Sequence, residues 1–193
     1  MLEESCRALA RWASDPVLGQ LKLAVNVSVH QLRESDFPRT VADILVLTGA
    51  SAGRLCLELT ESVFAGDTEA LIERMTQLRV QGVQLALDDF GTGYSSLSYL
   101  QRFPLAALKI DRLFTHELLA APGGTPIIDA IVALARGLGL QIIAEGVEHE
   151  VQRDYLLGCG CDAIQGYLLG KPVPIAEFEA AYGKRATGKN ALD

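Results

Sequence analysis

Basic residues are scarce in this sequence, and no basic cluster or basic helix occurs. With 17 Lys and Arg against 24 Asp and Glu, the chain has a formal net charge of −7. A broad nucleic-acid-binding surface must neutralise many phosphates, so this balance argues against DNA as a partner. A ligand that carries phosphate would need a few locally placed cations instead.

Targeting signals and long apolar runs are also missing. Met1 is followed at once by the acidic stretch LEES, which is unlike a secretory signal, and no apolar run approaches membrane-spanning length. We therefore expect a cytoplasmic protein with no membrane segment. The 193 residues, 49% of them hydrophobic, are enough for one sizeable core, and we expect one domain.

Cysteine pairs with metal-binding or redox spacing are absent. Cys6, Cys56, Cys159 and Cys161 show no C-x-x-C pattern, and we interpret them as buried free thiols. A redox role for the closely spaced Cys159 and Cys161 stays open, but no other feature supports it.

The sequence does contain a regular alternation of apolar runs and helical segments. Six apolar runs occur at residues 21–28, 54–60, 83–89, 106–111, 140–147 and 161–169. Between two of them, the spacing of Leu71, Ile72, Met75 and Leu78 indicates the core-facing stripe of a helix. The alternation predicts a parallel sheet with helical crossovers, because nearly continuous apolar strands suit a sheet that helices cover.

Polar side chains fall at or near the carboxyl ends of all six runs. They are Asn26, Glu58, Asp88, Lys109, Glu145 and Gln165. In an α/β barrel this end carries the functional loops, whereas the ligand of a doubly wound sheet usually lies near only a couple of strands. Six contributions favour a closed or nearly closed ring. Since a full barrel typically needs about 250 residues and eight strands, we expect a (β/α)8 TIM-barrel-like domain without its first two strands.

The stretch LALDDFGTGYSSL ends an apolar run in two adjacent carboxylates, Asp88 and Asp89. Such neighbours repel, and they are best tolerated where a cation, a shared proton or open water relieves them. Glu58, Glu145 and Asn26 complete an all-oxygen set, which suits Mg²⁺ or Mn²⁺ rather than zinc. The three histidines lie in polar segments away from the strand ends. An aspartate shared by two metals about 3.5–4 Å apart would suit phosphodiester chemistry.

Lys109 and the glycine-rich loop each allow two interpretations. Lys109 could orient a water molecule or stabilise charge on a phosphate, and a salt bridge to Asp111 is an equally good structural interpretation. FGTGYSS is not a nucleotide-binding G-x-G-x-x-G, because Ser96 stands where the third glycine would be. We interpret the loop as a tight turn over the site, with Ser95 or Ser96 capping the next helix.

The motifs together closely resemble one known family. VNVSVHQL, LELTES, LALDDFGTGYSSLSYL, LKIDRLF, IIAEGVE and GCDAIQGYLLGKPVP occur in this order, from about Arg7 to Phe178. They are similar to the motifs of the EAL-domain family of cyclic di-GMP phosphodiesterases. The resemblance implies a modified (β/α)8 barrel with one antiparallel strand, and hydrolysis of cyclic di-GMP to linear pGpG with Mg²⁺ or Mn²⁺.

The resemblance also implies roles for the metal-side residues. Asn26, Glu58 and Asp88 match the ligands of a first metal, and Asp88 would bridge to a second metal that Asp89 also holds. Glu145 matches a general base or an organiser of metal-bound water.

Further roles follow from the same resemblance. Lys109 matches the lysine that contacts the nucleophilic water, and Glu61 matches the glutamate that steadies the FGTGYSS loop, which in this family links the site to a dimer interface. Three positions match the substrate side of the site: Gln165, Asp111 and Glu148.

The resemblance finally implies what this chain lacks. We expect the E-A-L motif, whose glutamate is a ligand of the first metal, to lie on a strand before this sequence begins. Residues 1–183 would then form an incomplete EAL domain, and residues 184–193 a polar tail. Such a chain would be weak or inactive as an enzyme. The alternative is a catalytically silent cyclic di-GMP receptor or interaction module, although no downstream ligand is lost.

The partners expected from this reading are cyclic di-GMP, a second copy of the chain and an upstream regulatory domain in the full protein. Exposed sheet edges are templates for pairing unless something covers them. We therefore expect a homodimer or other self-association, or an N-terminal helix that covers the edges.

Overall fold

A sheet of six parallel strands forms the centre of the computed structural model, which describes residues 1–64, 68–91, 97–119 and 125–183. The strands are β1 (Leu23–Asn26), β2 (Leu55–Thr60), β3 (Gln84–Phe90), β4 (Ala107–Ile110), β5 (Gln141–Ala144) and β6 (Ala163–Ile164). They lie side by side in chain order. The predicted fold class, a TIM-barrel-like α/β arrangement of about six parallel strands, is confirmed.

Nine α-helices surround these strands within the described ranges. They are α1 (Leu2–Trp12), α2 (Val29–Arg33), α3 (Phe37–Thr48), α4 (Thr68–Val80), α5 (Leu97–Leu100), α6 (Arg112–Glu117), α7 (Pro126–Gly137), α8 (Glu150–Cys159) and α9 (Ile175–Tyr182). In α4, Leu71, Met75 and Leu78 are fully buried, as their spacing predicts. None of these helices has the length and apolar character that crossing a membrane requires.

The middle of the sheet is buried, so its polar side chains must find partners within the protein. All four residues of β4 are buried, and Lys109 is one of them. In β2 and β3, leucines such as Leu57 and Leu87 are fully buried. The charged side chains on these three strands, Glu58, Asp88, Asp89 and Lys109, lie towards the carboxyl ends, where loops and other charged groups satisfy them.

The two ends of the described chain meet beside the open edges of the sheet. Within the described residues, β1 pairs only with β2, and β6 only with β5. Trp12 Nε1 donates a hydrogen bond of 2.8 Å to Glu179 Oε1, and the Trp12 ring lies 5.8 Å from the Phe178 ring. A groove of about 700 Å³ remains between the edges. The predicted polar tail, residues 184–193, lies outside the described residues.

We expect the two edges, which have no further strand within the described ranges, to promote self-association, because sheet edges present ladder groups to other chains. Light scattering should give a mass above 20.8 kDa, the mass of one chain. Ala24→Lys, which adds a charge to edge strand β1, should lower that mass, and Ser51→Lys, at an exposed position outside the strands, should leave it unchanged. A strictly monomeric wild-type chain would contradict this prediction.

Candidate active site

Lys109 lies at the centre of a buried charged cluster at the carboxyl ends of the strands. Its Nζ is 2.8 Å from Glu58 Oε1 and 3.1 Å from Asp88 Oδ1, and Glu145 Oε1 is 2.6 Å away. Among the described residues, Lys109 forms ion pairs with these three carboxylates. A salt bridge to Asp111, the alternative interpretation from the sequence, is not among them. Three carboxylates around one ammonium group leave the cluster with excess negative charge.

The environment keeps Lys109 protonated. The residue is only 3% exposed, and burial by itself would lower its pKa. Hydrogen bonds to Glu145 and Glu58 outweigh burial and raise the pKa of Lys109 above its ordinary value. The side chain is therefore a permanent cation between β2, β3 and the segment after β5.

An irregularity at the end of β3 places the two adjacent aspartates. The pairing of β3 with β4 shifts register between Leu87 and Phe90, and Asp89 has φ of 56°. This left-handed conformation is uncommon outside glycine. In a regular strand, neighbouring side chains point to opposite faces. The irregularity instead lets carboxylate oxygens of Asp88, Asp89 and Glu145 lie within 4.8 Å of one another.

Two carboxylates of the cluster have raised pKa values, and burial is the main cause of both. Burial raises the pKa of Asp89, and a hydrogen bond with Asp111 and the charge of Asp88 raise it further. Burial also raises the pKa of Glu145, although its hydrogen bond to Lys109 opposes the shift. Added positive charge would favour the ionised form of both groups.

Asp111 and Glu61 connect the cluster to neighbouring loops, and both are buried. Asp111 caps α6, where its Oδ1 accepts a hydrogen bond of 2.7 Å from Leu113 N. Glu61 follows β2, and its Oε2 accepts a hydrogen bond of 3.3 Å from Gly91 N, where the glycine-rich loop begins. The rest of that loop, residues 92–96 with the expected capping serines, lies outside the described residues.

Three further predicted residues lie at the margin of the cluster, and all three are exposed. Asn26 ends β1 in register with Glu58 on β2. Gln165 follows β6, and its backbone N–H donates a hydrogen bond to Ala144 O on β5. Glu148 Oε1 lies 3.9 Å from His116 Nε2, in the segment after β5. These positions are accessible to a ligand, whereas the cluster around Lys109 is largely enclosed.

The chemistry of the donor set fits a hard divalent cation. Within the described ranges, the cluster of possible metal donors consists of Asp88, Asp89 and Glu145. Carboxylate oxygens are the ligands that Mg²⁺ and Mn²⁺ prefer. The three histidines are exposed, and the four cysteines are free thiols, two of them buried and two half-buried. A soft-metal site of His and Cys is not formed by these residues.

Sequence reasoning missed a residue that supports the segment after β5. Gln152, in the first turn of α8, is fully buried. It accepts hydrogen bonds from the backbone N–H groups of Glu148 and His149 and donates one to Thr115 O. The signal that could have found it is the spacing His149-x-x-Gln152 at the start of a helix, which matches a capping box.

The letters E-A-L do occur in this chain, at residues 69–71, so the expectation that they are missing is wrong. They lie on α4, not at the end of a strand. Leu71 is fully buried in the core, and Glu69 Oε1 forms an exposed ion pair of 2.6 Å with Arg102 Nη2. Glu69 therefore does not replace the motif glutamate near Lys109.

Comparison with known proteins decides the family. A profile described as the EAL domain matches residues 1–172. The chain belongs to the EAL domain family. The resemblance inferred from the sequence motifs is thereby confirmed.

Similar proteins extend this assignment. MucR of Pseudomonas aeruginosa, a bifunctional diguanylate cyclase/cyclic di-GMP phosphodiesterase, is 41% identical over 181 residues, or 94% of this chain and 26% of MucR. The structure of the PaMucR phosphodiesterase in complex with c-di-GMP matches with a TM-score of 0.84 and 41% identity, over 92% of this chain and 71% of that chain. This chain spans about a quarter of the length of the curated relatives it matches.

Two further solved structures also match this EAL domain. The EAL domain of Mycobacterium smegmatis DcpA has a TM-score of 0.88 at 44% identity, over 95% of this chain and 82% of that chain. The manganese/cy-diGMP complex of Klebsiella pneumoniae BlrP1 has a TM-score of 0.74 at 31% identity, over 86% of this chain and 43% of that chain.

Replacing Lys109 by Met should strongly destabilise the metal-free EAL domain, because the buried carboxylates lose their counter-charge. Urea unfolding in chelator at pH 7 should show a loss of about 3–5 kcal/mol. The loss should shrink towards pH 5. The pKa of Glu145, raised by burial, would rise further without Lys109, and a raised acid pKa favours the folded state at low pH.

The matched control is Lys22→Met, which changes an exposed lysine just before β1. It should alter the free energy of unfolding by less than about 0.5 kcal/mol. Equal effects of the two substitutions would contradict a central role for the Lys109 cluster.

Gly146 and Gly139 allow a second test, of how closely the segment after β5 approaches α6. Both have a positive φ, 68° and 69°. A Cβ on Gly146 would overlap Arg112, whereas one on Gly139 would meet nothing within 4 Å. Alanine at Gly139 should cost about 1–2 kcal/mol for the left-handed backbone alone. Alanine at Gly146 should lower the free energy of unfolding in urea by about 1–3 kcal/mol more than alanine at Gly139. Equal losses at the two positions would show that Gly146 and Arg112 are less closely packed.

Proposed function

We propose that this EAL domain contributes the metal-binding and proton-transfer groups of a cyclic di-GMP phosphodiesterase, which hydrolyses the messenger to linear pGpG. The observation that carries the proposal is the convergence of Asp88, Asp89 and Glu145 around Lys109. The complexes of PaMucR and BlrP1 with c-di-GMP, both of this fold, support the same ligand for this chain.

The metal-binding part of the proposal assigns Asn26, Glu58 and Asp88 to a first cation and Asp88 with Asp89 to a second. Glu145 lies close enough to both aspartates to serve as a further ligand or to organise water. Mg²⁺ or Mn²⁺ would supply Lewis-acid charge at the phosphate. The manganese in the BlrP1 complex supports this choice.

The proton-transfer part concerns Glu145 and Lys109. Burial raises the pKa of Glu145, which makes it a better proton acceptor than an ordinary carboxylate. It would take a proton from the attacking water. The Lys109 ammonium, fixed within 3.1 Å of three carboxylates, would orient that water and stabilise negative charge on the phosphate.

The remaining proposed roles concern the substrate side. Gln165 and Glu148 are exposed and would offer an amide and a carboxylate to the ligand. Asp111 keeps its proposed place at the substrate side, and its hydrogen bond to Asp89 would also orient that ligand of the second cation. Glu61 would steady the glycine-rich loop through Gly91.

We also propose that the 193-residue chain is a weak enzyme by itself. Its first cation site would have two carboxylates and one neutral amide, and the E-A-L letters on α4 add no ligand to it. A catalytically silent cyclic di-GMP receptor is the second candidate. The observation that favours it is that Lys109 already neutralises part of the carboxylate cluster.

The proposed setting follows from the ligand and the relatives. Cyclic di-GMP and a second copy of the chain are the proposed partners, in the cytoplasm. A regulatory domain upstream is proposed because the curated relatives are about four times longer than this chain.

Glu145→Gln should abolish proton transfer while keeping the size of the side chain. Chromatography of cyclic di-GMP and pGpG after long incubation with Mg²⁺, Mn²⁺ or Ca²⁺ should show slow conversion by the wild type with Mg²⁺ or Mn²⁺. The variant should be slower by a factor of about 100 or more. Glu117→Gln, at an exposed position on α6, is the control and should convert the ligand at the wild-type rate.

Undiminished turnover by Glu145→Gln would refute its role as the base. Binding of cyclic di-GMP by the wild type without any pGpG would favour the receptor. If the wild type neither binds nor hydrolyses cyclic di-GMP, the proposed function is overturned.

A further inference from the structure

The side chain of Gln152 holds the segment between β5 and α8, residues 145–149, and has no role in the proposed chemistry. Gln152 is 0% exposed. Its Oε1 accepts hydrogen bonds of 2.9 Å from Glu148 N and of 2.9 Å from His149 N. One amide oxygen thus fixes two consecutive backbone groups, one of which belongs to a proposed substrate-side residue.

The other half of the same amide reaches a different element of the site. Gln152 Nε2 donates a hydrogen bond of 2.9 Å to Thr115 O on α6. This helix begins directly after Asp111, which caps it. Gln152 therefore ties the segment after β5 to the segment after β4, and these two segments carry Glu148 and Asp111.

The two segments also touch through their backbones. Gly146 lies so close to Arg112 on α6 that a Cβ there would overlap it. Glu145 N donates a hydrogen bond of 3.0 Å to Ile110 O, so the sheet itself holds the beginning of the segment. Val147 is held by backbone hydrogen bonds with Gln165 and Leu168. Gln152 adds the bonds at Glu148 and His149.

Only an amide of this length satisfies all three partners. A glutamate would still accept from both N–H groups, but its charge would face the carbonyl oxygen of Thr115. A methionine would fill the space but would remove the partner of the Glu148 and His149 N–H groups and of the buried Thr115 carbonyl. The interaction is therefore specific to the chemistry of Gln152 as well as to its volume.

We propose that Gln152 is a positioning residue that fixes Glu148 for contact with cyclic di-GMP while leaving the cation ligands unchanged. The role rests on the proposed function, since it concerns the ligand of that site. This role would separate cation binding from the positioning of the substrate-side carboxylate. The cation ligands are set by the sheet and Lys109, and the substrate-side carboxylate is set by the tie between α8 and α6.

The test compares Gln152→Met and Gln152→Glu with the wild type in the full chain. Calorimetry with cyclic di-GMP in Ca²⁺ should show affinity lower by about ten-fold for the methionine variant and by a smaller factor for the glutamate variant. Mn²⁺ affinity, measured by electron paramagnetic resonance, should be unchanged. Glu148→Gln should weaken ligand binding too, and adding it to Gln152→Met should cause little further loss, because both act through one contact.

The control is Thr115→Val, which retains the carbonyl that Gln152 uses. Among the described residues, the buried hydroxyl of Thr115 has no hydrogen-bond partner, so its removal should leave both affinities unchanged. If Gln152→Met does not fold, the affinities of Gln152→Glu for cyclic di-GMP and for Mn²⁺ are compared with those of the wild type instead.

Three results would overturn the inference, and they differ from one another. Equal ligand affinity in the wild type and the Gln152 variants would remove the role of Gln152 and leave the proposed function standing. Parallel losses of ligand and Mn²⁺ affinity would show that Gln152 only stabilises the fold. A wild type that binds no cyclic di-GMP would overturn the proposed function, and the role of Gln152 with it.

Discussion

The contact of one buried ammonium group with three carboxylates is the interaction on which the carboxyl end of the sheet depends. Parallel strands in chain order bring Glu58, Asp88 and Glu145 to the same end, where their charges repel. Lys109, on the strand between them, offsets part of that repulsion from inside the protein. Burying these charges without a partner would cost several kcal/mol for each ion. The arrangement that carries the proposed chemistry is therefore also a condition for the fold.

Much of the fold could be predicted because apolar strands and helical stripes leave different periodicities. The six strands occur where the runs predict them, and the chain-order sheet follows from short crossovers. The strand predicted from the run at 161–169 was too long, since β6 covers only Ala163–Ile164. There Gly166 packs directly on the backbone of Val147, and Leu168 N bonds to Val147 O, so the chain turns. A contact with a distant loop leaves no periodicity in the local sequence.

The site was predictable in its residue types but not in its geometry. The pair Asp88 and Asp89 is visible in the sequence, whereas the left-handed backbone at Asp89 is not, because an aspartate can also remain in a regular strand. The sequence left open whether Lys109 pairs with Asp111, its near neighbour in sequence, or acts in the site, and its ion pairs cross to other strands. Sequence distance could not decide between these alternatives, since the curvature of the sheet decides which strand ends meet.

The distribution of the site along the chain has a consequence for how the protein survives in a cell. The groups proposed to hold cations extend along the chain from Asn26 on β1 to Glu145 just after β5, so an unfolded chain has no comparable set of ligands. A divalent cation would bind the folded form alone and shift the folding equilibrium by mass action. At 100 times its dissociation constant, such a ligand adds about 2.7 kcal/mol. Metal supply would then govern how much of this protein escapes proteolysis.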